Sequence, residues 1–388
     1  MLAVLACAEL LGMALWFTGS AVGPSLAASW SLSASQVGWL TTAVQLGFVV
    51  GTAASALFNL ADVMPARTLF AVAALCGAVA NLPLADTSSY RVALLSRFAA
   101  GCCLAGVYPP AMKMAATWFR ARRGLAVGTI VGALTIGKAT PYLAQAWPGT
   151  TVRAVTMLSS ASAALAALLI YTTYRDGPFE FPSRPFAWAR VADVVRERRW
   201  RLATGGYLGH MAELYSFWTW IPAFLVASDV VHASRTGIAA NARVAALVGF
   251  GVIAVGGIGC VWGGIVADRI GRARLVTWAM AVSGSCALAI GAAWGQSWWV
   301  LAPLALVWGF FVIADSAQFS VLVTESVPAH AVGTALTLQV SIGFLLTTIT
   351  IQCIPPLVRW LGWQWVFPVL AIGPLLGILS IRRLPRGT

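Results

Sequence analysis

The chain has 388 residues, of which 60% are hydrophobic and only 10% charged, with a mean hydropathy of +0.83. No soluble globular domain has this composition. The formal charge of +13 would suggest nucleic acid if the cations formed one soluble face, but most of the 25 Lys and Arg fall in alternate short loops between apolar runs. That is the positive-inside pattern; it excludes a nucleic-acid partner and assigns the Arg-rich side to the cytoplasm.

A spanning helix needs about 20 apolar residues, so the chain has room for about twelve. The first run, from residue 2 to about 27, has no tail before it. It lacks the basic region of a signal peptide and is interrupted by Glu9; the missing basic flank points to a start codon upstream of Met1. Helix 2 is predicted at about 35–58 and helix 3 at about 68–85, with Asp62 and Arg67 in the turn between them. Helix 4, at about 90–117, contains Arg97, Gly101, Gly106 and Tyr108-Pro109-Pro110. The basic turn Trp118-Phe119-Arg120-Ala121-Arg122-Arg123-Gly124 follows, then helix 5 to about Gln145 and helix 6 at about 155–174.

Residues 175–201 are the longest polar stretch, with Pro178, Pro182 and Pro185 at its start. Beyond them Phe186, Trp188, Val191, Val194 and Val195 predict an amphipathic helix lying on the membrane surface. Six more spans follow, at about 202–227, 244–267, 275–294, 298–324, 332–355 and 365–381. The expected organisation is an N-terminal bundle (1–174), a cytoplasmic linker (175–201) and a C-terminal bundle (202–388), with both termini cytoplasmic. An internal repeat supports it. Ala8-Glu9-Leu10 recurs as Ala212-Glu213-Leu214, Ala126-Val127-Gly128-Thr129 as Ala331-Val332-Gly333-Thr334, and Asp62 matches Asp268, at offsets of 204, 205 and 206.

The seven Cys lie in apolar runs, form no C-x-x-C pair and have no His at ligand spacing, so they read as packing residues and neither metal nor cofactor is expected. The most specific element is the loop from Gly264 to Arg274, with Asp268-Arg269, then Gly271-Arg272-Ala273-Arg274. Gly271 suits a tight turn, Asp268 an Arg pair or a helix N-terminus, and the Arg residues a cytoplasmic face. This stretch resembles the loop motif of the major facilitator superfamily, and the resemblance extends over essentially the whole chain. Asp62 and Arg67 stand where the first copy of the motif would be, without its glycines. Arg97 with Gly101 is similar to the family pattern in helix 4; residues 106–128 are similar to the helix 4–5 turn of its organic-anion and sugar-phosphate branches. The antiporter Gly-Pro dipeptide is absent from helix 5, which has Gly132, Gly137 and Pro141.

The resemblance implies an all-α membrane protein of twelve spans, two pseudo-symmetric six-helix bundles with a solute site between them at mid-membrane. In that plan helices 1, 4, 7 and 10 line the cavity, and here they carry most of the buried charges: Glu9, Arg97, Lys113, His210, Glu213 and Asp315, with Lys138 in helix 5. A charge near the bilayer centre costs about 2.5–3.5 kcal/mol, so each needs a partner or a wet cavity. Tyr207, His210, Glu213, Phe217 and Trp220 are expected to share one face of helix 7, with His210 and Glu213 as a candidate proton relay or as structural ion-pair partners. Glu9 is the pseudo-symmetric mate of Glu213 and is expected to face it. Lys138, with Thr135, Tyr142 and Gln145 on its stripe, is either a substrate-facing cation or an ion-pair partner of Asp315 or Glu9. Asp315 and Gln318 are cavity candidates, and Trp16, Trp218, Trp220 and Trp308 can stack on a solute or simply pack.

Together these features predict a secondary transporter moving a small organic solute, an anion or zwitterion, by alternating access across a bacterial inner membrane. A proton or other ion is the expected coupling species, lipid the surroundings and a monomer the working form. No Gly-x-x-x-x-Gly-Lys loop is present to bind ATP, and three His give no constellation for an enzyme. Proton-coupled efflux of hydrophobic or drug-like compounds and a non-transporting sensor remain the alternatives.

Overall fold

The computed structural model describes residues 1–119, 123–179, 186–238 and 240–385; of Ala61, Asp62 and Arg123 only the backbone is described. The expected role of Asp62, the turn residues 120–122 and the prolines Pro182 and Pro185 therefore lie outside the described residues.

The described residues fold into twelve spans. Helices 1 to 4 are Leu2–Trp30, Ala34–Leu57, Ala66–Ala85 and Tyr90–Trp118. Helix 5 is Arg123–Gln145, and helices 6 to 10 are Val152–Thr173, Arg198–Thr236, Ala242–Ile270, Arg272–Ala293 and Trp298–Thr324. The last apolar stretch, Ala329–Arg382, is 54 residues long. At 1.5 Å per residue it is far longer than one crossing. It divides at Gly362 (φ +71°), inside the run Val332–Val366, so helix 11 is residues 332–361 and helix 12 residues 363–382, the latter including the 3₁₀ turn Phe367–Ala371. Side-chain caps mark the starts of several helices. Ser33 and Gln36 form a capping box on helix 2, Thr151 caps helix 6, and Asn241 accepts from the Arg243 and Val244 amides on helix 8.

The linker differs from expectation. Its amphipathic helix is only Val191–Arg196, after a 3₁₀ turn at Trp188–Arg190, and helix 7 already begins at Arg198. It docks on protein: Val194 and Trp200 are buried with Val323, Ala331 and Ala335 of helices 10 and 11 and the turn between them, and the Ala187 amide donates to Thr334 Oγ1. Glu197 ends the linker helix: its backbone is extended (φ −65°, ψ 115°) and its side chain accepts from the Arg199 amide, so the chain starts helix 7 instead of continuing along the surface.

The first six helices pack among themselves, as do the last six, and two seams join the halves: helix 5 on helix 8 and helix 2 on helix 11. At the first seam the backbones nearly touch. A methyl group on Gly128 would lie 2.7 Å from the Cys260 carbonyl oxygen; on Gly132, 2.6 Å from that of Gly257; on Gly264, 2.6 Å from that of Gly124. Small residues every fourth position are what close helix packing in lipid requires. The second seam is toward the opposite end. There Ser35 donates to Gln352 Oε1 (2.9 Å), Gln352 Nε2 donates to Thr42 Oγ1 (3.0 Å), and the Trp220 ring lies against Gly38.

The seam gives a test. Gly132→Ala forces the halves apart and is expected to cost about 1–3 kcal/mol of stability through overpacking. Gly251→Ala, on helix 8, where an added methyl would lie 3.6 Å from its nearest neighbour, Leu306, should be near neutral in a thermal-unfolding comparison.

Candidate functional site

The centre of the molecule is built on a break in helix 1. Residues 14–17 leave the helical ladder between Leu2–Met13 and Thr18–Trp30. A broken helix in lipid needs its freed carbonyls satisfied. Thr18 Oγ1 donates to the Ala14 carbonyl (3.1 Å), and Arg97 of helix 4 takes the next two: its guanidinium donates to the carbonyl of Leu15 and to that of Trp16 (3.2 Å). Arg97 is wholly buried and also donates to Asn81 Oδ1; Asn81 in turn donates to the Thr156 carbonyl and to Ser160 Oγ (3.0 Å). Helices 1, 3, 4 and 6 are thus fastened around one guanidinium, which gives Arg97 a structural role.

The break turns Trp16 toward the junction of the halves, where its ring meets Lys138. The Lys138 ammonium is 3.9 Å from the Trp16 ring centroid, 5.0 Å from that of Tyr215 and 5.5 Å from that of Trp218, and it donates to the Tyr215 hydroxyl (2.7 Å). Desolvated cation–π contacts are worth about 2 kcal/mol. Phe48 and Phe344 complete the cluster: Trp16 is 5.1 Å from Phe48 and 5.6 Å from Phe344, and Tyr215 is 5.2 Å from Phe344. Lys138 has neither of the ion pairs expected as one of its two readings. Among the described residues no carboxylate oxygen lies within 4.0 Å of it, although it and Glu9 are close enough to feel each other's charge. Both Glu9 oxygens are buried without a hydrogen-bond partner, as are the Trp16 and Trp218 indole N–H groups and the Tyr142 hydroxyl.

The C-terminal half holds its acids differently. Each Glu213 oxygen accepts a hydrogen bond within that half, one from Ser283 Oγ (2.9 Å) and one from Trp308 Nε1 (2.8 Å). Glu213 therefore shares no proton with Glu9, contrary to the expected facing pair, and Trp308 serves Glu213 and the Phe217 ring (4.0 Å). His210 contacts Asp315, not Glu213: its Nδ1 lies 2.9 Å from Asp315 Oδ1, without aligned hydrogen-bond geometry. Asp315 sits at the break in helix 10, between Trp298–Ala314 and Ser316–Thr324, and Gln318 is buried one turn on. The expected single face of helix 7 is fanned out by its 100° step per residue. Glu213 and Phe217 point into their own half, His210 to helix 10, and Tyr215 and Trp218 to the N-terminal half. Trp220 donates to the Ile351 carbonyl (3.0 Å).

All ten candidates (Glu9, Trp16, Arg97, Lys138, Tyr142, His210, Glu213, Trp220, Asp315 and Gln318) are at most 5% exposed, so the junction is closed to both faces. In the loop motif Gly271 has φ +89° and alone separates helices 8 and 9. Asp268 lies against Gly124 in the first turn of helix 5, where a carboxylate complements the helix dipole, and Gly264 is part of the seam. Arg272 pairs with Glu325 at the end of helix 10 (3.0 Å), while Arg67 and Arg274 are exposed.

Sequence reading passed over Tyr215, Phe48, Phe344 and Gln45. Gln45 is fully buried with both amide atoms unpartnered, and its signal was available: Thr41, Thr42 and Gln45 form a polar stripe in an apolar helix. The phenyl rings carried none, because nothing local separates a ring at the junction from one in the core.

Twelve apolar spans in two halves, with buried ionisable side chains gathered at and around the junction, define a multi-pass membrane protein. The sequence matches the Major Facilitator Superfamily over residues 4–351, and the chain belongs to that family of secondary transporters. Among solved structures it is similar to a point mutant of the nucleoside transporter NupG, with 14% identity and a TM-score of 0.70 over 99% of this chain and 100% of that one. No curated protein matches.

Arg97 can be checked directly. Arg97→Gln strands two carbonyls, each worth about 1–3 kcal/mol when buried and unpaired. Its thermal midpoint should fall by many degrees, while Arg274→Gln, at an exposed loop position, should stay near wild type.

Proposed function

We propose that this transporter moves a small organic carboxylate together with a proton, and that Lys138 binds the carboxylate. One observation carries the reading: a buried ammonium at the junction of the halves has aromatic faces and one hydroxyl around it, but no carboxylate in contact. A buried charge is costly unless paired, so an arriving anion gains what the protein withholds. The nearby unpartnered indole donors of Trp16 and Trp218 suit acceptor oxygens in the same way.

Charge balance supplies the coupling. Without solute, Lys138 and an ionised Glu9 sum to zero. With a bound anion, neutrality at the same place requires Glu9 to hold a proton. With one proton on the Lys138–Glu9 pair without solute and two with a bound anion, the site stays neutral while the halves rock, so anion and proton cross together. Glu9 is suited to this because nothing donates to its oxygens, whereas Glu213 is already satisfied. The Arg-rich loops orient the protein in a bacterial inner membrane with both termini cytoplasmic. NupG is named for nucleosides, but at 14% identity the likeness carries the fold alone, and no contact at Lys138 calls for a neutral solute.

The test is uptake into proteoliposomes from a mixture of small carboxylates, read by mass spectrometry with and without an inward proton gradient. Wild type should concentrate a carboxylate only with the gradient. Lys138→Met should abolish binding and uptake. Glu9→Gln should still exchange solute across the membrane at equilibrium but lose concentrative uptake. Accumulation by Lys138→Met at the wild-type rate would overturn the assignment.

A further inference from the structure

The same contacts reach further, granted the carboxylate reading above. Three aromatic faces, from Trp16, Tyr215 and Trp218, converge on the Lys138 ammonium, and Phe48 and Phe344 stand behind Trp16 and Tyr215. Trp16 and Phe48 come from the N-terminal half; Tyr215, Trp218 and Phe344 come from the other. The box is therefore assembled only when the halves meet. It is filled by a side chain that, on our reading, leaves to meet the solute. Lysine is a long, flexible stem, and displacement of its end by a few ångströms vacates the box without moving the backbone. What then stands next to the carboxylate is bounded by ring faces. The box rings themselves offer polar edges at the unpartnered indole N–H groups of Trp16 and Trp218 and at the Tyr215 hydroxyl.

We infer that the solute is an aromatic carboxylate whose ring takes the place beside Trp16, Tyr215 and Trp218 that the Lys138 ammonium holds in this structure. The ammonium acts as an internal stand-in. Trp16 and Tyr215 are 5.9 Å apart and Tyr215 and Trp218 5.6 Å apart between centroids, so the solute ring enters as the ammonium leaves for the carboxylate and these contacts open to receive it. Flat rings gain from offset and edge-on contacts with several aromatic partners, which a saturated ring of equal size does not make as well. Trp16 is the pivot, because the helix 1 break fixes it and it touches Lys138, Phe48 and Phe344 alike.

The experiment is isothermal titration, backed by thermal shift, on the full-length purified protein with four probes: benzoate, cyclohexanecarboxylate, benzamide and acetate. Benzoate is expected to bind at least ten-fold tighter than cyclohexanecarboxylate and than acetate. Trp16→Leu should erase that preference, and Trp16→Phe should retain part of it. Equal affinity for benzoate and cyclohexanecarboxylate in wild type overturns the aromatic assignment and leaves the carboxylate reading standing. Benzamide binding as tightly as benzoate keeps the ring box and overturns the carboxylate reading instead. Binding of none of the four overturns both. If Trp16→Leu does not fold, the benzoate to cyclohexanecarboxylate ratio in wild type decides the matter alone.

Discussion

The centre of this protein depends on one guanidinium. Opening helix 1 at residues 14–17 frees carbonyl groups in a region that offers no water, and the Arg97 side chain fills that need from helix 4. Asn81 holds the guanidinium from the other side and is itself tied to helix 6. That set satisfies the open break and holds Trp16 turned toward the junction. The chemistry at Lys138 thus rests on a residue that touches neither the lysine nor any solute.

The two halves repeat each other in outline and differ at the point that matters. Glu9 and Glu213 occupy equivalent places, 204 residues apart. Glu213 finds Ser283 and Trp308; some 205 residues earlier the chain has Gly77-Ala78-Val79 and Cys102-Cys103-Leu104, none of which supplies a comparable donor. The lysine has no counterpart either: its equivalent is near Gly343, where the Tyr207 ring fills the space. One half has spent its buried acid on its own packing, and the other has left its acid beside a cation. Duplication supplied the frame, and small departures from symmetry supplied a place where charge can change.

Much of this was readable in advance. Apolar run lengths, Arg-rich alternate loops and the repeat fixed twelve spans and two halves, because the bilayer imposes length and charge rules on every segment separately. Gly271 was legible as a turn for a similar reason: a positive φ at a one-residue connection is a local demand. The site was legible as a set of residue types and not as a set of partnerships. Glu213, His210 and Trp220 were found by their chemistry, yet a straight helix turns 100° at each residue and sends them to three different neighbours. The alternatives left open for Lys138 turned on Glu9 of helix 1 and Asp315 of helix 10, and its ring cage comes from helices 1 and 7, so neither could be inferred from its own surroundings. The linker helix was overestimated because hydrophobic spacing does not reveal that Val194 and Trp200 are buried against protein instead of lipid.

The choice of arginine for nearly every other cation has a practical side. Lys113 and Lys138 are the only lysines in 388 residues, and Lys138 is 3% exposed with the junction closed. Primary amines in the chain are therefore confined to the N-terminus and these two side chains. An amine-reactive reagent meets Lys138 only when the halves part, so the protein carries a built-in reporter of its own opening, readable by peptide mass without adding a label site or removing a native residue.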